Sequence, residues 1–351
     1  MNALRALMSA TEADPADAQA VLPAWRQVLE KCALFLLRGI GPGYYLQARW
    51  WRADIPFSDK WDHPNRREYN AFIDRVNAPR YQKISQHKLS EKAVLCLLGL
   101  PTAPFVGYVH ATRGRDRLGH PLRCAADLEN TLGRHVGQRI CFKRVEGFGG
   151  FGFVAYDIGQ DAGRITLTQP VSGERLSVPA WWAANANDPE GFVLEEYLRQ
   201  HAEMAALNRT SVNTIRIWVY EKNGEYVVPG AYLRVGRSGS QVDNNSSGGL
   251  CCPVDVERGT TRGAMDVKKD CAPCHHHPDT GAALAGFRIP HWNECVVMAG
   301  MALSAFPHMR VAGLDMAVTP EGPCLIELNV RPDYIGCAWM DLPLRRIARA
   351  M

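Results

Sequence analysis

Residues 313–332 read GLDMAVTPEGPCLIELNVRP, two apolar runs separated by a turn at 319–323, and the folding of this stretch decides how the rest of the chain is read. Side chains alternate faces along a strand, so Glu327 and Asn329 point one way while Leu328 points to a core. A hairpin closed near Glu321 and Gly322 brings Asp315 alongside them. Two acids and an amide on paired strands make a set of hard oxygen donors. Such a set suits Mg²⁺, which keeps part of its water and completes its shell with phosphate oxygens, and so points to a nucleoside triphosphate. The same spacing fits an ordinary hairpin with polar residues on a wet face. The remainder of the chain has to separate the two readings.

With 351 residues, 46% hydrophobic and 22% charged, the chain can bury cores for two or three subdomains. A formal charge of +4 is small for this length and gives no warrant for nucleic-acid binding; no block of like charges or low-complexity repeat occurs. The apolar run at 32–37 is too short to span a bilayer, and no signal-type segment is evident, so a cytoplasmic location is expected. Eleven cysteines, an odd number, read as reduced thiols.

Residues 1–80 carry helical patterning, with apolar positions at helical spacing over 22–37 and a stop at Gly39. The next stretch, GPGYYLQARWWR at 41–52, interleaves aromatics with arginines. It suits a membrane surface or lipid-linked substrate, or packing against a neighbouring domain with the arginines solvated; packing is the expectation. From Lys88 helices and strands alternate: a helix over 88–98, a stop at 99–101, and strands over 105–110 and 139–143. A glycine-rich turn, Gly147-Phe148-Gly149-Gly150-Phe151-Gly152, then leads to a strand over 153–157. Strand, glycine loop, strand is not the dinucleotide fingerprint, and the Lys-Ser/Thr ending of a P-loop is absent. Such a loop can still close over phosphates, because glycine lets backbone N–H groups approach oxygen. Lys143, entering the loop, and Lys88 are candidate phosphate cations, and also read as solvated lysines. GFVLEEYL at 191–198 is an apolar strand running into a Glu pair. Its free backbone groups suit adenine, with one Glu accepting from an amino or ribose hydroxyl group.

Six pieces in this order carry a resemblance: HKLSEKAVLCLLGLPTAPF, CFKRVEGFGGFGF, FVLEEYLRQHAEMAALNRTSVNTIRI, AYLRVGRSGSQVDNNSSGGL, HHHPDTG with IPHW, and GLDMAV…LIELNVRP. Over residues 80–335 the chain resembles the ATP-grasp superfamily, most closely the sugar-transfer associated ATP-grasp family. The resemblance implies an α+β fold of two subdomains clasping ATP, at 85–192 and 193–351, behind a mainly helical segment at 1–84. It implies that Lys88 and Lys143 hold ATP phosphates and that Gly147, Gly149, Gly150 and Gly152 close over them. Glu195, Glu196 and Leu198 match the adenine linker and Glu203 the ribose-binding acid. Asp315, Glu327 and Asn329 match ligands of one or two Mg²⁺. Arg216 and Arg234 match basic positions facing the transferred phosphate, and Asn244, Asn245, Gly248 and Gly249 a loop near metal and acceptor.

The implied chemistry is ligation: the γ-phosphoryl of ATP activates a small-molecule carboxylate as an acyl phosphate, which an amine, amino sugar or amino acid attacks. The alternatives are an ATP-dependent kinase and a non-ligating ATP-binding protein linked to sugar or polysaccharide biosynthesis. Cys271, Cys274 and His275–His277 have a spacing that zinc accepts. The resemblance places HPDTG in a connection instead, and zinc is not expected. Arg331, Tyr334 and Trp339 are candidate acceptor-facing residues, with Arg331 suited either to a substrate carboxylate or to a structural salt bridge. The acid, the nucleophile and the oligomeric state stay open.

Overall fold

The computed structural model describes residues 3–11, 21–147, 152–244, 247–269 and 271–351. Alternating apolar and polar residues from Phe105 onward build two antiparallel sheets whose apolar faces turn away from one another's cleft. The first contains β1 Phe105–Val109, β2 Arg115–Asp116, β3 Arg139–Arg144, β4 Phe153–Asp161, β5 Arg164–Thr168, β6 Arg175–Ser177 and β7 Phe192–Glu196. Its strand order is β2-β1-β7-β3-β4-β5-β6. Ile140, Phe142, Phe192 and Leu194 share its inner face with Leu128, Leu132, Val178 and Trp181 from helices Ala125–Gly133 and Val178–Asn185. The opposite face of β3 and β7 therefore carries Cys141, Lys143 and Glu195.

The second sheet contains β8 Thr214–Lys222, β9 Glu225–Val235, β10 Leu250–Asp255, β11 Thr260–Arg262, β12 Ala264–Asp266, β13 Ala272–Cys274, β14 Ala285–Arg288, β15 Val311–Thr319 and β16 Gly322–Asn329. Its main path runs β13-β12-β10-β9-β8-β15-β16, with β11 and β14 joined through β10. The hairpin read from the sequence is β15–β16, with Asp315 opposite Glu327 and Gly313 opposite Asn329. A β-bulge between Asp315 and Met316 shifts the register and was not legible in the alternation. Ile215, Ile217, Leu314, Met316 and Leu328 pack on helix Trp292–Ser304 through Cys295, Met298, Ala299 and Leu303.

Ahead of both sheets lie helices Ala24–Arg38, Pro42–Gln47, Phe57–Trp61, Arg66–Val76 and Pro79–Gln86. Helix Ala24–Arg38 ends at a left-handed Gly39 as expected, but its buried face is Gln27, Glu30, Lys31 and Leu34, leaving Trp25, Leu29, Leu36 and Leu37 exposed. The polar face is inward because it is partnered: Lys60 Nζ donates to Glu30 at 2.7 Å, and the Gln27 amide donates to the carbonyls of Thr11 and Leu22. In the aromatic stretch Tyr44, Tyr45, Trp50 and Trp51 pack with Trp218, Val311, Tyr334 and Leu344. The expectation of solvated arginines fails at Arg52, which is buried and bonds Asp341 at 2.8 Å. A buried guanidinium needs a carboxylate. Among the described residues no helix is long and apolar enough to cross a membrane.

Candidate functional site

The polar faces of the two sheets meet in one cleft, lined by Lys88, Lys143, Gly147, Gly152, Glu195, Glu196 and Leu198 on one side. Thr214, Arg216, Arg234, Asp243, Asn244, Asp315, Glu327 and Asn329 line the other. Helix Lys88–Leu97, capped by the His87 ring accepting from Ser90 N, projects Lys88, Glu91 and Lys92 from one turn of one face. Lys88 Nζ donates to the Gly147 carbonyl at 2.6 Å, where the glycine-rich loop begins. The loop closes between Arg144 N and Gly152 O at 2.9 Å. Gly152 has φ +78, and a Cβ there would lie 2.7 Å from the Arg144 side chain, so only glycine closes this base without strain. Gly149 and Gly150 lie outside the described residues.

Lys143 and Glu195 stand diagonally on the cleft face, since Cys141 is the residue opposite Glu195. Lys143 Nζ donates to one Glu195 oxygen, and Lys92 Nζ lies 2.9 Å from the other. Burial alone would raise the Glu195 carboxyl, but the two ammonium groups bring it below the ordinary range. Burial would likewise lower the Lys143 ammonium, and Glu195 brings it above its usual value. Glu195 is thus a buried counterion to two lysines. Glu196 and Leu198 line the cleft mouth beyond it, while Glu203 is exposed on helix Ala202–Leu207 and does not line the cleft.

On the larger sheet one transverse row carries Arg216, Asp315 and Glu327 on adjacent strands. Arg216 donates to both Asp315 oxygens, through Nε and through Nη2 at 3.0 Å. Arg234 makes an ion pair with the same carboxylate and gives Nε to Thr214 Oγ1 at 3.1 Å and Nη1 to the Asn244 side chain at 3.1 Å. Buried Asp243 accepts from Thr214 N at 2.8 Å and from its hydroxyl. Against the cost of burial, the two guanidinium groups bring the Asp315 carboxyl below the ordinary range. Asp243 is held above its ordinary range by burial, which Arg234 and Thr214 offset only in part. Gly249 closes the Asp243–Asn244 loop: a Cβ there would fall 2.0 Å from the Asp243 carbonyl. Asn245 lies outside the described residues.

This geometry ranks the oxygen donors. Asp315 already satisfies two cations, whereas the Glu327 side chain has neither hydrogen bond nor ion pair among the described residues. The Asn329 amide nitrogen is buried with no partner. A carboxylate and an amide, both unengaged in a cleft that also holds lysines, suit a hard cation shared with phosphate. Among the described residues no group of three or more His, Cys, Asp or Glu is placed to hold a metal ion, so any cation here would be completed by substrate and water. Sequence reasoning missed Lys92, Glu91, Thr214 and Asp243. Lys92 and Glu91 share the helical face of Lys88, and that periodicity was the available signal.

Elsewhere the candidates serve the fold. Arg331 pairs with Asp74 and reaches Gln82 at 3.3 Å. In the Cys271–His277 stretch, Cys271 Sγ donates to Gln47, Cys274 Sγ to the His276 carbonyl, and the His277 ring bonds the Gly236 carbonyl at 2.8 Å.

Solved structures similar to this chain include a carboxyaminoimidazole ribonucleotide synthase from asperigillus clavatus complexed with ATP (14% identity, 78% of this chain and 53% of that one, TM-score 0.43). Others are the D-alanyl-alanine synthetase A of Vibrio cholerae (13%, 77% and 62%, 0.41) and an L-amino acid ligase from Bacillus licheniformis (14%, 76% and 48%, 0.42). The chain spans about half the length of the first of these. No curated protein matches it. The family model described as sugar-transfer associated ATP-grasp matches residues 67–341, a span that takes in both sheets and the cleft between them. The chain belongs to the sugar-transfer associated ATP-grasp family.

Proposed function

We propose that the protein is an ATP-dependent ligase that joins a small-molecule carboxylate to an amine through an acyl phosphate. The observation carrying this reading is the convergence, in one cleft, of two lysines at a glycine-rich loop, a buried arginine pair, and the unengaged Glu327 and Asn329. Phosphoryl transfer asks little covalent chemistry of a protein; it asks for alignment and charge compensation. Lys88, with two N–H groups beyond its bond to Gly147, and Lys143 meet the negative charge of the triphosphate. Glu195 and Lys92 hold Lys143 in place for that task. Glu196 and Leu198, at the cleft mouth, frame the base.

Arg216 is the guanidinium suited to the transferred phosphoryl, because its Nη1 makes no hydrogen bond among the described residues. Arg234 has all three nitrogens committed and so orients Asp315 and the Asn244 loop. Glu327 and Asn329 would hold Mg²⁺, with Asp315 behind them; when bound, the ion neutralises charge on the phosphate oxygens. The γ-phosphoryl passes to the acid's carboxylate oxygen with loss of ADP. The amine then attacks the acyl carbon and expels phosphate. Activity on sugar-linked precursors fits the family description.

The test is the product of ATP turnover across panels of acids and amines, including amino sugars and amino acids. Release of ADP and phosphate only when acid and amine are both present is the expected result. A stable phosphorylated acceptor formed without an amine would replace ligation by kinase action, and failure to bind ATP in calorimetry would remove both.

A further inference from the structure

Strand β16 ends the main path of the larger sheet, and it carries both unengaged donors. Two of its outward backbone groups are met by the chain between Lys88 and Pro101. Leu325 N donates to the Pro101 carbonyl at 2.8 Å. Three residues on, Leu328 N donates to the Glu91 side-chain oxygen Oε1 at 3.2 Å. Glu91 is 3% exposed, and its second oxygen is buried without a partner. Leu328 lies between Glu327 and Asn329, with its side chain in the core. A grip on its N–H therefore sets the pitch at which the two flanking side chains enter the cleft.

We propose that Glu91 is a positioning residue for the cation site: from helix Lys88–Leu97 it holds the Leu328 N–H and thereby aims Glu327 and Asn329. The inference rests on the reading of the cleft as a magnesium–nucleotide site. Glu91 lies one turn from Lys88, which meets the glycine loop, and beside Lys92, which meets Glu195. One helical turn thus fixes the phosphate lysines and the cation strand relative to each other. Outer partners of this kind typically change metal affinity by about 10–100-fold when removed.

The experiment titrates MgCl₂ against binding of a fluorescent ATP analogue, with a metal-free series alongside, in wild type, Glu91→Leu and Glu91→Gln. Leucine fills the space without an acceptor; glutamine keeps the oxygen. Glu91→Leu is expected to raise the Mg²⁺ concentration for half-saturation by about 10–100-fold while metal-free affinity stays at wild type, and Glu91→Gln to restore the wild-type value. A Glu91→Leu curve that overlays wild type overturns the proposal, as does equal loss in both variants. If Glu91→Leu does not fold, amide exchange in wild type decides: Leu328 must be protected despite its place on a sheet edge, and rapid exchange there overturns the assignment. Wild type that binds no nucleotide at all would instead remove the reading of the cleft.

Discussion

At the scale of the residue, Glu195 shows how a side chain can stand where an adenine contact is expected and serve a different charge. The strand places it in the cleft wall, but two ammonium groups occupy its oxygens. Glu195→Gln would leave two buried lysines sharing a neutral amide, and removing one member of a buried pair costs roughly 3–5 kcal/mol. The expected result is a loss of that size in denaturant unfolding, reduced at saturating ATP because the triphosphate supplies the missing negative charge. A variant as stable as wild type would return Glu195 to base recognition. The acids of the hairpin were legible because strand alternation and turn chemistry are local. That Asp315 is engaged by Arg216 and Arg234 was not, since those arginines lie on β8 and β9, 99 and 81 residues before it in the chain, and only sheet order brings them together.

Among elements, the hairpin β15–β16 is held at its base by a residue no motif marks. Asn77 is fully buried; its amide nitrogen donates to the Val311 and Val330 carbonyls at 2.8 and 2.7 Å, and its oxygen accepts from Arg310 N and Val311 N. Four backbone groups at the open end of the hairpin therefore depend on one side chain. At about 1–3 kcal/mol for each buried group left unpaired, Asn77→Ala is expected to cost at least about 3 kcal/mol in chemical denaturation. A loss below 1 kcal/mol would mean that water takes over these bonds. Strands β1, β3, β4 and β7 were legible to within a few residues, because each is an apolar run ended by glycine, proline or charge. The bulge at Asp315 was not legible, since it is set by pairing. Helix Ala24–Arg38 was legible as a helix but not in its orientation: the spacing marks an apolar stripe, and the ion pair of Glu30 with Lys60 turns the other face inward.

For the whole molecule, the aromatic layer around Tyr44, Trp50 and Tyr334 joins the first helices to the last strands. His63 is sealed within it, 1% exposed, with its Nδ1 bonded to the Tyr44 hydroxyl at 2.9 Å. Burial brings its pKa down from 6.5 to about 3. Protons then bind the unfolded chain in preference, so the contribution of His63 is complete above pH 6.5 and is lost as pH falls toward 3. Wild type should lose on the order of 4 kcal/mol more than His63→Asn over that window, at ~1.4 kcal/mol per pKa unit. Parallel stability profiles in the two proteins would show that the ring is hydrated. The same layer sets an order on biosynthesis. Tyr44, Tyr45, Trp50 and Trp51 are made well before Trp218, Val311, Tyr334 and Leu344, which help to cover them. During elongation this aromatic surface stands partly uncovered until those later residues follow, so the nascent protein is a natural client for chaperones that hold apolar segments.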